Sequence, residues 1–357
     1  MLVGGAPRDL FRDREPRDFD VVTDADLTQI RQLFRNSRTV GKRFPIVHTY
    51  FGRELVEISS FKTEHAGSKA EMVTADAAER DFTVNAIYYD LDDFKVYDPL
   101  NGLRDLERGR VVAIGDVYRK FEEDPVRMLR ALKLVVKQGL VLESRLAKAI
   151  AACCKKTEEL GEGRRYEEIT RIFLEAEAPA YVAQCRKYGL LEGMWPNGEA
   201  LALKNGLEFF DGLSTDLPIH YSRGSYSKTT HTHLWLKLFL ASGHFEPTTD
   251  AGAIKGQWER FIDPLAMPFR APILEALNLI SILSGAKRRK LPEAKREIRS
   301  LVAHWAQREA PDLWARLDRI WLEAPQRMGR EHSVDVRPAD KKPKRKRRRR
   351  RRRRNPD

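Results

Sequence analysis

The spacing of apolar residues changes once along this chain, close to Asp124. Before that point apolar positions alternate or run in short blocks. Beyond it they recur every three or four residues. Asp18-Phe19-Asp20-Val21-Val22 alternates and then runs apolar, as a strand does on entering a sheet. Residues 44–51, 54–61 and 84–89 are strand-like for the same reason. Residues 25–34 predict a helix, with Asp24 or Asp26 near its start and Ile30, Leu33 and Phe34 on one face. Residues 61–78 are polar, with Gly, Ser and Ala and no clear period, and predict a mobile loop between two strands. The short apolar run at 111–114 ends in a turn at Gly115-Asp116. Helical spacing then holds to about residue 325, as in Met128, Leu129, Leu132, Val135 and Val136. Loop signals fall near Pro196-Asn197-Gly198 and over 211–223 and 243–255, and no internal repeat is present. The pattern predicts an α/β head over 1–105, a neck over 106–195, a helical body over 196–330 and a tail over 331–357.

Composition changes this picture mainly at the C-terminal end. A chain of 357 residues with 42% hydrophobic content is long enough for two or three domains with cores. It contains no apolar run of the roughly 18 residues a membrane helix needs. Its first residues lack the charged and apolar regions of a signal peptide. Cys153, Cys154 and Cys185 suit neither a disulfide framework nor a metal-ligand spacing, so a reducing cytoplasm is expected. The formal net charge is +13. Between Lys341 and Arg354 every residue except Pro343 is basic, which leaves the remainder close to neutral. Such a block repels itself and buries no apolar surface, so it is expected to be disordered without a partner. Its natural partner is a polyanion. On single-stranded nucleic acid each neutralised phosphate steepens the salt dependence by about 0.7 log units. A solubilising role and attraction to anionic lipid remain alternatives for the same charge.

Candidate chemistry concentrates in the head. Gly4-Gly5 and Arg8 precede Asp18-Phe19-Asp20. Two aspartates at i and i+2 on a strand share a face. Their carboxylates then suit a hard cation such as Mg²⁺, which keeps substrate phosphates in its shell. Paired glycines before a helix let backbone N–H groups approach a triphosphate. Alone, each element has an ordinary use: DxD as a solvated strand edge, Gly-Gly as a turn.

The order of the motifs is more specific. Val3-Gly4-Gly5-x-x-Arg8-Asp9 followed by Arg17-Asp18-Phe19-Asp20-Val21-Val22-Thr23-Asp24-Ala25 resembles the head motif of class II nucleotidyltransferases, the bacterial poly(A) polymerases and the tRNA CCA-adding enzymes. The resemblance implies that Asp18 and Asp20 are catalytic metal ligands for Mg²⁺ or Mn²⁺. Gly4, Gly5 and Arg8 would belong to the nucleotide site. Glu79-Arg80-Asp81-Phe82-Thr83-Val84-Asn85-Ala86 is similar to the RRDFTxNA motif, which implies that Asp81 and Asn85 meet the sugar and triphosphate. Asp98 to Leu106 is similar to the segment joining head to neck. Glu123-Asp124-Pro125-Val126-Arg127-Met128-Leu129-Arg130-Ala131 resembles EDPxRxLRA. There Glu123, Asp124 and Arg127 would read the incoming base, with Arg130 beside them. Gly163-Arg164-Arg165-Tyr166-Glu167-Glu168 stands in a degraded form of the neck-helix motif. The family's first strand is longer than Leu2-Val3, and Pro7 fits the first turn of a helix. Ordinary uses coexist with these readings. Arg80-Asp81 reads equally as a surface ion pair, Asn85 as a strand-end cap, and Glu123-Asp124-Pro125 as a helix start near a positive dipole end.

Glu57 is a third candidate carboxylate, on a strand with Leu55 and Ser59 on its side. Its alternative is a strand charge that discourages aggregation. Val40-Gly41-Lys42-Arg43-Phe44-Pro45-Ile46-Val47-His48 resembles a signature of the poly(A) polymerase branch. Lys42 and Arg43 would then contact phosphate, with a hairpin turn of solvated charges as the alternative. Arg164 and Arg165 read as RNA or nucleotide contacts or equally as solvated surface charges, and Arg348 in the tail as an RNA contact. Together these features predict adenylyl transfer from ATP to single-stranded RNA 3′ ends, with RNA-decay proteins as possible partners. CCA addition to tRNA is the alternative. His231 and His233 form an HxH pair without supporting acids, and Trp235, Trp305, Trp314 and Trp321 read as core residues.

Overall fold

The computed structural model describes residues 1–16, 18–41, 45–52, 54–61, 67–198, 221–222, 225–248, 250–268, 270–285, 296–310 and 312. Lys42, Arg43 and Arg348 lie outside the described residues, as do Trp314, Trp321 and the basic tail. The head is one mixed sheet. Its strands are β1 (Leu2–Val3), β2 (Phe19–Thr23), β3 (Ser37–Val40), β4 (Ile46–Phe51), β5 (Glu54–Ser60), β6 (Tyr88–Tyr89) and β7 (Val96–Tyr97), in the order β3-β4-β5-β2-β1-β6-β7. Only β2 and β5 pair in parallel among these described strands.

Alternation along β2 decides what each sheet face meets. Val21 turns to one side, where Ile30 of α2 (Leu27–Leu33) packs with Val47 and Ile58. Val22 turns to the other, where it is buried with Val3 and with Val73 and Ala77 of α3 (Lys69–Glu79). Full burial of a valine such as Val22 contributes about 1.5–3 kcal/mol. Asp26 starts α2 with a capping box, its carboxylate accepting from the Thr28 and Gln29 amides.

Helix α3 corrects the expectation of a loop over 61–78. Ser68 and Glu71 form a second capping box at its start. That Ser-x-x-Glu pattern was present in the sequence and marks a helix start even without an apolar period. The expected strand over 84–89 is also shorter than predicted. Thr83–Asn85 forms a single 3-10 turn, and only Tyr88–Tyr89 pairs in the sheet. Backbone bonds from Thr83 to Val112 and from Ile114 to Asp81 hold this turn against the next segment.

The remaining described residues are largely helical. They contain α4 (Gly102–Glu107), α5 (Val117–Glu123), α6 (Val126–Gln138), α7 (Ser144–Cys153), α8 (Glu162–Leu174), α9 (Ala178–Lys187) and α10 (Leu190–Met194). After the intervening segment come α11 (Lys228–Ser242), α12 (Ala251–Ile262), α13 (Arg270–Gly285) and α14 (Arg296–Glu309). Short ladders interrupt them: β8 (Arg110–Val111) with β9 (Val141–Leu142), and β10 (Tyr221–Ser222) with β11 (Ser225–Tyr226). None of the described helices is long and apolar enough to cross a membrane.

One continuous core runs from Phe82, Val84 and Ile87 through Met128 and Leu132 to Ile169, Trp195, Trp235 and Phe261. The turn after α3 is thus packed into the helical part. Two of the buried indoles have their polar atoms satisfied, Trp195 donating to the Phe261 carbonyl and Trp235 to Thr170, while Trp258 Nε1 is buried without a partner. His231 meets the Tyr166 hydroxyl at 2.7 Å and His233 meets the Thr229 carbonyl at 2.8 Å, so both histidines serve packing and hydrogen bonding.

Helix α6 is locked to the head by its C-terminal end. Arg12 and Arg14 donate to the carbonyls of Gln138 and Lys137, and the Gln138 amide donates to Asp9. Cations on the last carbonyls of a helix are favourable by charge as well as by hydrogen bonding. Met128, Leu129 and Leu132 enter the core, while Arg127, Arg130, Lys133 and Lys137 fall on the opposite side.

Candidate active site

The site is built on one row of the sheet. Strand register aligns Val3 with Asp20, Asp20 with Glu57, Glu57 with His48, and His48 with Arg38. Residues aligned across neighbouring strands project to the same side. This register brings Glu57, on the neighbouring strand β5, next to Asp20. Asp18, two residues earlier, joins them at the cleft.

Gly4 shapes the ground beside Asp20. Its φ of 76° lies where L side chains rarely go, and a Cβ there would stand 2.6 Å from Asp20 Oδ2. The glycine therefore permits both the turn from β1 into α1 (Gly5–Leu10) and the close approach of the carboxylate.

Like charges gather on this row. Burial, and next the Glu57 carboxylate, push Asp20 up to about 6, against the pull of Arg80 and Arg130. Burial and then Asp18 likewise raise Glu57. His48 Nε2 lies 3.2 Å from Glu57 Oε1, while burial and Arg38 lower the affinity of His48 for a second proton. A neutral imidazole carrying its hydrogen on Nε2 satisfies both facts and leaves Nδ1, which is buried without a partner, as a bare acceptor.

A second network lies on the β1 side of Asp20. Arg8 donates to Asn85 Oδ1 at 2.6 Å, and the Asn85 amide donates to Asp81 Oδ1. Asp81 also accepts from the Phe82 amide and pairs with Arg130 at 2.8 Å. Burial alone would raise Asp81. Arg130, Asn85 and the Phe82 amide outweigh it and hold this carboxyl below its usual range.

Both groups open into a cleft of about 940 Å³ between the sheet and helices α6 and α8. Gly4, Gly5, Arg8, Asp18, Asp20, Glu57, Asp81, Asn85, Asp124, Arg127, Arg130 and Arg164 all line it. Glu123 does not. It closes α5, where it pairs with Arg119 at 3.1 Å and Arg127 at 3.5 Å. The helix start expected at Glu123-Asp124-Pro125 is therefore divided: Asp124 accepts from the Val126 amide ahead of α6, and Glu123 ends the helix before it.

The cleft also holds residues not anticipated from the sequence. Glu175 pairs with Lys133 at 2.7 Å and with Lys137. Glu168 pairs with Arg164 at 3.0 Å and Arg171 at 3.1 Å. The signal for them was periodic. Positions 127, 130, 133 and 137 form one face of α6, and 164, 168 and 171 one face of α8. Arg80 lines the cleft as well, anchored by Asp76 and the Tyr88 hydroxyl at 2.9 Å each.

The carboxylate row fits a divalent cation of the Mg²⁺ type. Asp20 and Glu57 are neighbours across the sheet with Asp18 two residues along the strand, and repulsion among them adds to burial in raising Asp20 and Glu57. Among the described residues no group of three or more His, Cys, Asp or Glu is placed to hold a metal ion by itself. Mg²⁺ needs none, since it takes one or two carboxylates and completes its shell with water and substrate phosphates.

Comparison with known proteins agrees with this geometry. Residues 1–112 match the Poly A polymerase head domain, and residues 139–201 match the probable RNA and SrmB-binding site of polymerase A. Poly(A) polymerase I of Salmonella typhimurium is 34% identical over 224 residues, covering 57% of this chain and 48% of that protein. A CCA-adding enzyme of Lactobacillus helveticus is 32% identical over 248 residues, covering 67% of this chain and 58% of its own. The chain thus spans about half the length of the curated poly(A) polymerases it matches. In fold it resembles the Bacillus stearothermophilus CCA-adding enzyme in complex with CTP, at 21% identity and a TM-score of 0.56 over 91% of this chain and 78% of that one. The match to the head model, the match to the RNA-binding model and the relatives at about one third identity agree: the chain belongs to the nucleotidyltransferase family of poly(A) polymerases and CCA-adding enzymes.

Proposed function

We propose that this protein is a template-independent polynucleotide adenylyltransferase that adds AMP from ATP to RNA 3′ ends. One observation carries the reading: the Asp18, Asp20 and Glu57 row faces a helix-borne wall of cations inside a single cleft. Acids of that kind suit a divalent cation, and cations of that kind suit phosphates. In the reaction the RNA 3′-hydroxyl oxygen bonds to the α-phosphorus of ATP. The bond from that phosphorus to the bridging oxygen breaks, pyrophosphate leaves with the electron pair, and the hydroxyl proton passes to water.

Asp18 and Asp20 would hold the metal, with Glu57 beside them. A bound Mg²⁺ or Mn²⁺ supplies charge neutralisation at the triphosphate and acidifies the attacking hydroxyl. Gly4, Gly5 and Arg8 lie where the triphosphate would rest. Asp81 and Asn85 would orient the nucleotide through the Arg8–Asn85–Asp81–Arg130 chain of contacts. Asp124 and Arg127 would meet the base edge. The same Arg127 is tied to the Lys120 carbonyl and Glu123, which limits its movement. Glu123 would then act through Arg127 rather than on the base.

ATP is favoured over CTP by the signature at 40–48 and by the poly(A) polymerase relatives. CCA addition is favoured by the relative from Lactobacillus helveticus, which covers more of this chain. Extension of unstructured RNA with each single nucleotide separates the two. Long tails with ATP alone are expected. CTP incorporation on tRNA lacking its 3′ end, without ATP tailing of unstructured RNA, would overturn the adenylyl reading. Deleting residues 341–357 should weaken RNA binding and flatten its salt dependence without affecting ATP use. An unchanged salt slope would remove the tail from RNA binding.

A further inference from the structure

Arg164, Glu168 and Arg171 occupy one face of α8 at i, i+4 and i+7, and all three line the cleft. Glu168 is buried, and its Oε1 lies within ion-pair distance of both guanidiniums. The arginine side chains remain 46% and 48% exposed. Glu168 sits between the two guanidiniums, and Glu167 reaches Arg164 at 3.9 Å, so what the pair offers is unused N–H donors rather than a net charge. Each guanidinium has five N–H donors in a planar fork that matches phosphate oxygens. Exposed ion pairs contribute little to stability. A buried acid shared by two exposed arginines serves instead to fix where their remaining donors point.

The sheet order indicates which phosphate they meet. Strand β1 lies on one side of Asp20 and β5 on the other. Gly4 and Arg8, with the chain of contacts to Asp81 and Arg130, stand on the β1 side. Glu57 stands on the β5 side, and Arg164 and Arg171 line the same cleft from α8. In-line transfer places the attacking and leaving oxygens on opposite sides of the phosphorus. With the nucleotide on the β1 side, the acceptor strand enters from the β5 side.

We propose that Arg164 and Arg171, fixed by Glu168, bind backbone phosphates of the terminal nucleotides of the acceptor RNA and aim its 3′ end at the carboxylate row. They are positioning residues. The inference rests on the nucleotidyl-transfer reading above.

The test uses the full chain carrying Arg171→Gln, Arg171→Lys or Arg164→Gln. Binding of a labelled single-stranded oligoadenylate is measured without ATP across a salt series, and KM is measured separately for RNA and for ATP. Arg171→Gln should weaken RNA binding roughly tenfold and make the salt slope shallower by about 0.7. Arg164→Gln should act in the same direction. Both should leave the KM for ATP unchanged. Arg171→Lys should keep the wild-type slope and recover part of the affinity, since the charge remains but the fork is lost. Unchanged affinity and slope in both Gln variants would overturn the proposal. A raised KM for ATP with RNA binding intact would also overturn it, by assigning the pair to the nucleotide. If the wild-type chain fails to use ATP on this RNA, the adenylyl reading falls, while the binding comparison still decides the role of the two arginines.

Discussion

On the sheet side of the cleft, Asp18, Asp20 and Glu57 share one lining, where burial and then Glu57 raise Asp20, and burial and then Asp18 raise Glu57. On the helical side, Asp81, Glu168 and Glu175 each meet at least one cation within ion-pair distance. Asp81 and Glu175 are accordingly held below the usual carboxylate range, although burial pushes each of them upward. The same residue types thus carry opposite perturbations a few residues apart in the fold. Paired acids organise a wall. Crowded acids raised in this way suit a positive charge supplied from outside the chain.

The largest effect is expected from removing the crowded acids. Asp18→Ala or Asp20→Ala should reduce RNA extension at least about a thousandfold, as loss of a metal-centred catalytic group does. Thermal unfolding should be little affected, because Asp20 relieves repulsion when it leaves. Retained extension in the double variant would remove the sheet row from the chemistry altogether.

Gly4→Ala tests the geometry of the same row rather than its charge. The added Cβ would meet Asp20 Oδ2, and the positive-φ backbone costs a non-glycine residue about 1–3 kcal/mol. Extension should fall roughly a hundredfold, as small misplacements of reacting groups do. Full activity at lowered stability would show that the position of Asp20 tolerates adjustment.

Asp81→Asn breaks the contrast from the helical side. It removes the charge that faces Arg130 and should destabilise the protein by about 1–3 kcal/mol. A carboxyl depressed in the folded state stabilises above its ordinary value of 3.8 and loses that contribution as pH falls through its folded value. The wild-type melting temperature should therefore drop more steeply below about pH 4 than that of the variant. Parallel pH profiles would mean that the pair with Arg130 contributes no net stability.

Glu175→Gln should have the smallest effect, about 1 kcal/mol, since Lys133 and Lys137 are partly exposed and regain water. Its acid dependence has the same sign, below the ordinary value of 4.5. A loss as large as that for Asp81→Asn would show that both cation clusters are equally structural.

Much of this arrangement was legible in the sequence, and the exceptions have physical causes. The strands at Ile46–Phe51 and Glu54–Ser60 followed from period-two alternation. The helix at Lys69–Glu79 escaped because its period is weak, although its Ser68–Glu71 cap was readable. The turn at Thr83–Asn85 escaped because backbone bonds to Val112, distant in sequence, hold it out of the sheet. Glu123 was read with Asp124, yet α5 ends between them and sends the two side chains apart.

The sequence by itself determined the ingredients: Asp18 and Asp20 on one strand, glycines before a short helix, and cations at helical spacing on α6. These depend only on backbone periodicity and on local steric freedom. Tertiary structure decided the pairings. The parallel register of β2 with β5 set Glu57 beside Asp20, and the α6 and α8 packing set Glu168 and Glu175 among their cations. Register and helix packing are fixed by long-range burial, which no local window of residues contains.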